Sequence, residues 1–263
     1  MTDAGQLTDD AAALQASDLP AWAMTFEPFG TQHIVTVAVW SVVIVVWVLL
    51  GLAWRGTPRE AALRWLIGGA AFQSQLLMTI YWMQPARWTL EESLPLHMCD
   101  LLAFGVPLAL AFPKSRWSGA VMLLWGVGLT TQSFITPTVI EGPASPVFWF
   151  YWLQHVFLAG SGAYLVVVHG YRPRFGDVWR LGLIGIGLTA ASVVLNEAIG
   201  TNYWYSGSVG VDKETILDYL PPWPWRVVVM SAVGIGFMAI IWALFVIGGV
   251  LRRAVVRPTD PKA

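Results

Sequence analysis

Apolar residues run through this chain in seven long blocks, near residues 33–54, 61–83, 95–112, 117–136, 147–169, 178–200 and 225–250. Each is about the length, roughly 20 residues, that a helix needs to cross a hydrocarbon core. The connectors, such as Arg55-Gly56-Thr57-Pro58-Arg59, Pro113-Lys114-Ser115-Arg116, the run from Thr136-Pro137 to Pro146, and Tyr171-Arg172-Pro173-Arg174, hold the residues that make turns and are too short to separate a pair of domains. The pattern predicts an all-α polytopic membrane protein, a single bundle of seven transmembrane helices over residues 33–250. An amino-terminal segment, residues 1–32, precedes it, and a tail, residues 251–263, follows.

Composition agrees with this pattern. Of 263 residues 56 % are hydrophobic and only 12 % charged, with a mean hydropathy of +0.61, whereas soluble domains carry about 25 % charge. No basic stretch exceeds a few residues, so a nucleic-acid partner is not expected. Membrane phospholipids are the expected partners, and nothing in the sequence addresses oligomeric state. Cys99 is the single cysteine, which rules out an intrachain disulfide and leaves either a packing residue or a reactive thiol.

Charge changes the picture because its sign is segregated along the chain. Arg55, Arg59, Arg64, Lys114, Arg116, Arg172, Arg174, Arg180, Arg252, Arg253, Arg257 and Lys262 fall on one side of the predicted bundle, with only Arg87, Lys213 and Arg226 on the other. The positive-inside rule then places the amino terminus outside the cytoplasm and the basic tail inside, in a bacterial-type plasma membrane. Residues 1–32 hold Asp3, Asp9, Asp10, Asp18 and Glu27 without any Lys or Arg, and so lack the basic start of a signal peptide. Leu14, Leu19, Trp22 and Phe26 predict a short interfacial helix over residues 11–26, interrupted at Pro20.

The candidate chemistry centres on Leu94-Pro95-Leu96-His97-Met98-Cys99-Asp100, where an imidazole, the thiol and a carboxylate open the third apolar block. Pro95 suits the first turn of a helix, which puts Cys99 about one turn in, where the helix dipole favours a thiolate. His97 and Asp100, three apart, share a face; His97 and Cys99 do not, so a base for Cys99 is expected from another helix. With orientation set, the other polar positions are one-sided in depth. Gln132, Gln154, His155, Asn196, Glu197 and Arg226 lie at or near the outer ends of their blocks, and Gln73 and Gln75 lie mid-depth. Ionisable groups at membrane depth are costly and usually functional, and helix direction alternates, so the clustering predicts a polar pocket open towards the outer leaflet. Each residue also has a structural reading: His97 as a helix cap, Cys99 as a small buried hydrophobe, Asp100 and Glu197 as partners of Arg226 or a histidine. His33 and His169 are expected to be incidental.

At these residues the chain resembles the YwaF family of bacterial integral membrane proteins, itself similar to eukaryotic transmembrane protein 164. The resemblance rests on the Leu94 to Asp100 stretch, Thr131-Gln132-Ser133-Phe134-Ile135-Thr136-Pro137, the histidine of Phe150-Tyr151-Trp152-Leu153-Gln154-His155, Asn202-Tyr203-Trp204-Tyr205, and Pro222-Trp223-Pro224-Trp225. It covers about residues 33–250, with departures at Arg226 and at Ser206-Gly207. In the eukaryotic relative a cysteine and a histidine are implicated in acyl transfer between phospholipids. The resemblance thus implies that role for Cys99 and His155, with His97 and Asp100 beside them.

Three functions follow as expectations. In the first, a Cys99 thiolate activated by His155 attacks a lipid ester and a lysolipid accepts the acyl group, without a cofactor; Gln132 or Asn202 supports the oxyanion, and Asn196, Glu197, Tyr203 and Arg226 contact substrate. In the second, His97, Asp100, His155 and Glu197 hold a zinc ion that activates water, although no His-Glu-x-x-His spacing is present. In the third, the pocket belongs to a non-enzymatic transporter or receptor. The last apolar block has no Lys, which excludes a retinal Schiff base.

Overall fold

The structure, a computed structural model, describes residues 19–209 and 219–256. The acidic positions up to Asp18, the predicted interfacial helix before Leu19, Lys213, and the tail from Arg257 lie outside the described residues. What is described is helical, with no strand beyond one isolated antiparallel bridge between Thr25 and Glu141. In chain order the helices are α1 (Ala21–Met24), α2 (Thr31–Ala53), α3 (Pro58–Trp82), α4 (Leu90–Ser93), α5 (Met98–Ala111), α6 (Arg116–Ile135), α7 (Pro146–Val167), α8 (Phe175–Ile199) and α9 (Trp225–Val256).

Local chemistry explains the boundaries. Pro58 and Pro146 stand in the first turns of α3 and α7, where a missing N–H costs nothing, and Ser145 Oγ accepts from Val147 N at 3.2 Å. Gly200 ends α8 at φ 69°, a left-handed turn that glycine adopts without a Cβ clash. The third apolar block departs from its sequence pattern. Leu94 is extended at φ −90°, ψ 122°, as a residue preceding proline prefers, so the chain breaks after α4 and the helix restarts at Met98 with His97 as its N-cap. Cys99 is therefore the second residue of α5, not one turn inside a helix that begins at Pro95.

Five runs, namely α2, Leu90–Ala111, α6, α8 and α9, are long and apolar enough to cross a membrane. α3 and α7 are equally long, at 25 and 22 residues, but Gln73, Ser74, Gln75 and Thr79 dilute the first and Gln154, His155 and Ser161 the second. Those polar residues are tolerated because of position. α7 is the hub of the bundle and packs against α2, α3, α5 and α6, so its polar groups meet protein instead of hydrocarbon. The richest apolar windows of α2 and α9 are only 6 % buried, and they turn Val39, Val42, Leu49, Leu244, Ile247 and Val250 outward. A surface this apolar and this exposed fits lipid, not water.

Close approach at the hub relies on small residues. A Cβ on Gly162 of α7 would lie 2.5 Å from Met122 O, so the α6 backbone passes directly over it. At that crossing α6 widens into a π-helical stretch, Val121–Val127, and threonines fill the loosened carbonyls: Thr130 Oγ1 donates to Gly126 O and Thr131 Oγ1 to Val127 O. Leu124, Leu158, Leu165 and Val106 close the core around it.

Candidate functional site

The bundle has two chemically distinct ends. At one, the loops after α2, α5 and α7 gather Arg64, Glu60, Lys114, Arg116, His169 and Arg172; Arg116 pairs with Asp177 and His169 meets Glu60 at 3.0 Å. At the other lie the connections α3–α5, α6–α7 and α8–α9, together with the segment before α2. Of the described basic side chains, Arg64, Lys114, Arg116, Arg172 and Arg174 fall at the first end, and the polar residues His97, Asp100, Gln75 and Gln154 gather at the second.

The centre of that second end is a ring of three side chains from three helices. Gln154 of α7 donates to Asp100 Oδ1 at 2.7 Å and to Gln75 Oε1 at 2.9 Å, and Gln75 of α3 donates to Asp100 Oδ1 at 3.1 Å. All three residues are buried, Asp100 being 5 % exposed. A carboxylate away from water needs donors on its oxygens, and here the two amides supply them. Gln154 and Gln75 stand out in the sequence only as polar residues in apolar helices; that they are the hydrogen-bond partners of Asp100, in place of Arg226, follows from which helices touch.

His97 caps α5 and packs edge-on against Tyr203, with ring centroids 5.1 Å apart, and lies 6.3 Å from the Tyr205 ring. It is close enough to Asp100 to interact with it electrostatically. Cys99 is half-buried, packed against the main core, within electrostatic range of both Tyr151 and Tyr205. His155 is 4 % exposed, and its Nδ1 lies 2.7 Å from Tyr151 O, with the Tyr151 ring 4.5 Å away. A carbonyl can only accept, so Nδ1 carries the hydrogen and Nε2 presents a lone pair. Among the described residues Nε2 makes no hydrogen bond. Tyr151 thus fixes the His155 tautomer and lies within electrostatic range of Cys99.

A strained loop covers this centre. Trp204 and Tyr205 stand at φ 60° and 57°, a left-handed conformation that bulky residues adopt only when the surroundings enforce it. Asn196 enforces it: its amide donates to Tyr203 O at 2.8 Å and Ser206 Oγ at 2.9 Å, and its Oδ1 accepts from Tyr203 N at 2.8 Å and Thr201 Oγ1 at 2.9 Å. Trp204 Nε1 donates to Leu96 O at 2.7 Å and the Tyr203 hydroxyl to Leu90 O, which tie the loop to the stretch leading into Cys99. Asn202 spans the same loop, donating to Val209 O and accepting from Gly207 N, both at 2.9 Å.

The remaining sequence candidates sit further out. Gln132 donates to Thr136 Oγ1 on its own helix end. Glu197 is exposed and accepts from Ser208 N at 2.8 Å and Ser208 Oγ at 2.9 Å, so it secures the loop from outside. Arg226 donates to the carbonyls of Tyr205 and Gly207 and pairs with no carboxylate among the described residues. His33 is not incidental to the fold. It accepts from Phe29 N at 2.9 Å and lies 2.9 Å from Phe134 O, stapling the segment before α2 to the end of α6.

Among the described residues no three histidine, cysteine or acidic side chains gather as a metal-binding group. Of the four residues expected to hold zinc, Asp100 is engaged by two glutamines, His155 Nδ1 faces Tyr151 O, and Glu197 points away to Ser208. The arrangement holds a thiol and the backbone N–H groups of a helix start next to the loop, and on α7 an imidazole whose Nε2 makes no hydrogen bond among the described residues.

A family model described as the TMEM164 family matches residues 28–242. Neither a curated protein nor a solved structure matches the chain.

Proposed function

The chain belongs to the TMEM164 family, and on that premise we propose that it is a membrane-embedded lipid acyltransferase or acyl hydrolase whose nucleophile is Cys99. One observation supports the reading above the others: Tyr151, which lies within electrostatic range of Cys99, also orients His155 so that its Nε2 is available as a base.

In this mechanism the Cys99 thiol gives its proton to His155 Nε2 as sulfur bonds to the ester carbonyl carbon of a phospholipid. N–H groups at the start of α5, which have no partner inside the helix, face the oxygen that becomes negative. The ester C–O bond then breaks, His155 returns the proton to the departing lysolipid oxygen, and a thioester remains on Cys99. A second lysolipid hydroxyl, or water, attacks that thioester with His155 again taking the proton, and the thiol is regenerated. Gln75 and Gln154 hold Asp100 and thereby fix the face of α5 next to Cys99. Asn196, Asn202, Tyr203 and Arg226 keep the covering loop in place, and Gln132 and Glu197 stand at its margin.

The same proposal sets the topology. All seven long helical runs cross the membrane, including α3 and α7, whose polar residues are sheltered at the centre. The amino terminus and the acidic segment 1–32 lie outside, and the basic tail 251–263 lies on the cytoplasmic side of a bacterial-type plasma membrane. The segregation of Arg and Lys to one end of the bundle supports this orientation.

The deciding experiment is to incubate the purified chain with phospholipid and look for an acyl mass on the peptide that holds Cys99, labile to hydroxylamine. Full lipid turnover by Cys99→Ala, with no adduct on the wild-type chain, would refute the thioester route.

A further inference from the structure

At the opposite end from Cys99, the loops that open α6 and α8 line an open cavity of about 410 Å³. Its walls carry Lys114, Ser115, Arg116, His169, Arg172 and Arg174. Two carboxylates approach this region, and both are engaged. Asp177 takes two bonds from the Arg116 guanidinium, and accepts from Tyr171 OH and Arg174 N at 2.9 Å each. Glu60 Oε1 meets Arg64 at 2.8 Å, Tyr164 OH at 2.9 Å and His169 at 3.0 Å. The cavity is left with a surplus of cations. Lys114 and Arg174 are exposed and make no salt bridge among the described residues, and Arg172 is held in position by the carbonyls of Val166 and Tyr171.

Backbone polarity adds to that surplus. Ser115 and Arg174, both in the cavity wall, are the N-caps of α6 and α8, and Ser115 makes no side-chain capping bond. α6 therefore starts at this cavity with its first-turn N–H groups unfilled by a capping side chain, the arrangement that receives anions, whereas at the start of α8 the Asp177 carboxylate already accepts from Arg174 N. The cavity is within the size range of small-molecule sites. Phe112, Trp117, Phe175 and Trp179, next to the lining residues in sequence, are all more than half exposed and offer apolar surface to a lipid's chains.

We propose that this cavity binds a phosphoryl group. The same chemistry is offered by the headgroup of an anionic glycerophospholipid and by free phosphate; basic pockets between transmembrane helices take the former. The site is separate from the thiol and from the acyl-transfer reading, and would hold lipid whether or not Cys99 reacts.

The test is calorimetric titration of the full chain in dodecyl maltoside with three probes: dihexanoyl phosphatidylglycerol, dihexanoyl phosphatidylcholine and inorganic phosphate. Saturable binding of phosphatidylglycerol, at least tenfold tighter than phosphatidylcholine and weakened on the order of tenfold or more by Lys114→Gln with Arg174→Gln, supports the proposal with a lipid as source. Saturable binding of inorganic phosphate alone, lost in the same double variant, supports it with free phosphate as source. Both residues are exposed, so the variant should unfold at the wild-type temperature without ligand; if it does not, Lys114→Gln alone carries the comparison. No saturable binding of either anion, or unchanged affinity in the variant that folds, overturns it.

Discussion

Gln154 donates to Asp100 across the α5–α7 interface at 2.7 Å, while its immediate neighbour His155 turns to Tyr151 and leaves Nε2 without a hydrogen bond among the described residues. Successive residues on a helix point about 100° apart, so one position of α7 joins the buried ring and the next turns to a carbonyl of its own helix.

Replacing Gln154 should therefore disturb stability before chemistry. Gln154→Leu removes two donors from a buried ring and should lower stability by about 1–3 kcal/mol, the span covered by bonds to charged groups and by interhelical bonds in membranes. Asp100→Leu in the same chain removes the carboxylate that had lost one of its two amide donors, so the double variant should be more stable than the sum of the singles implies. Thermal unfolding in detergent of all four chains measures the coupling; strictly additive losses would mean that the ring contributes nothing.

His155→Ala should act on rate. Loss of a general base slows proton transfer by a factor on the order of 10² to 10⁴, so acyl-adduct formation on Cys99 should fall by that much with little change in unfolding temperature. Cys99→Ala should abolish the adduct altogether. Turnover that is reduced equally by Gln132→Ala and His155→Ala would point away from a base at His155.

Much of this arrangement was legible in the sequence because membranes penalise polarity so heavily. The depth of His97, Asp100, Gln154 and His155 follows from block lengths and from the sign of the loops, and the helices bring those residues to one end. Partner identity did not follow. Asp100 could have met Arg226, and only the packing of α3 and α7 against α5 selects the glutamines as its hydrogen-bond partners. Glu197 reads as an intramembrane carboxylate because the apolar block runs on past it, yet Gly200 turns the chain back and leaves Glu197 exposed to the loop. His33 looks incidental for the opposite reason: its partners, Phe29 N and Phe134 O, are backbone atoms, which a sequence pattern does not reveal.

Asn196 gives a sharper test of the covering loop. Its side chain meets four groups of the 201–206 segment within 2.9 Å, and that segment holds Trp204 and Tyr205 in left-handed backbone. Asn196→Ala leaves buried donors and acceptors without partners, each costing about 1–3 kcal/mol, so the strained pair should relax and the loop open. Limited proteolysis should then cut between residues 200 and 209, in a chain whose helices remain folded. Resistance equal to wild type would show that Trp204 and Leu96 suffice to hold it.

The last expectation concerns acid. His169 lies outside α7, and burial holds its pKa below the ordinary 6.5 against the opposing pull of the Glu60 carboxylate. A histidine whose folded pKa is lowered takes up its proton more readily in the unfolded chain. Its contribution is therefore fully present above about pH 6.5 and is lost as the pH falls from there towards the folded value. Wild-type stability should thus decline from about pH 6.5 downward more steeply than that of His169→Gln, which keeps a polar side chain able to reach Glu60 but cannot titrate. Unfolding temperatures of both chains, measured in steps from about pH 8 to about pH 5, make the comparison. Parallel profiles would mean that His169 is protonated equally in both states, and that the acid sensitivity of the basic end comes from its carboxylates.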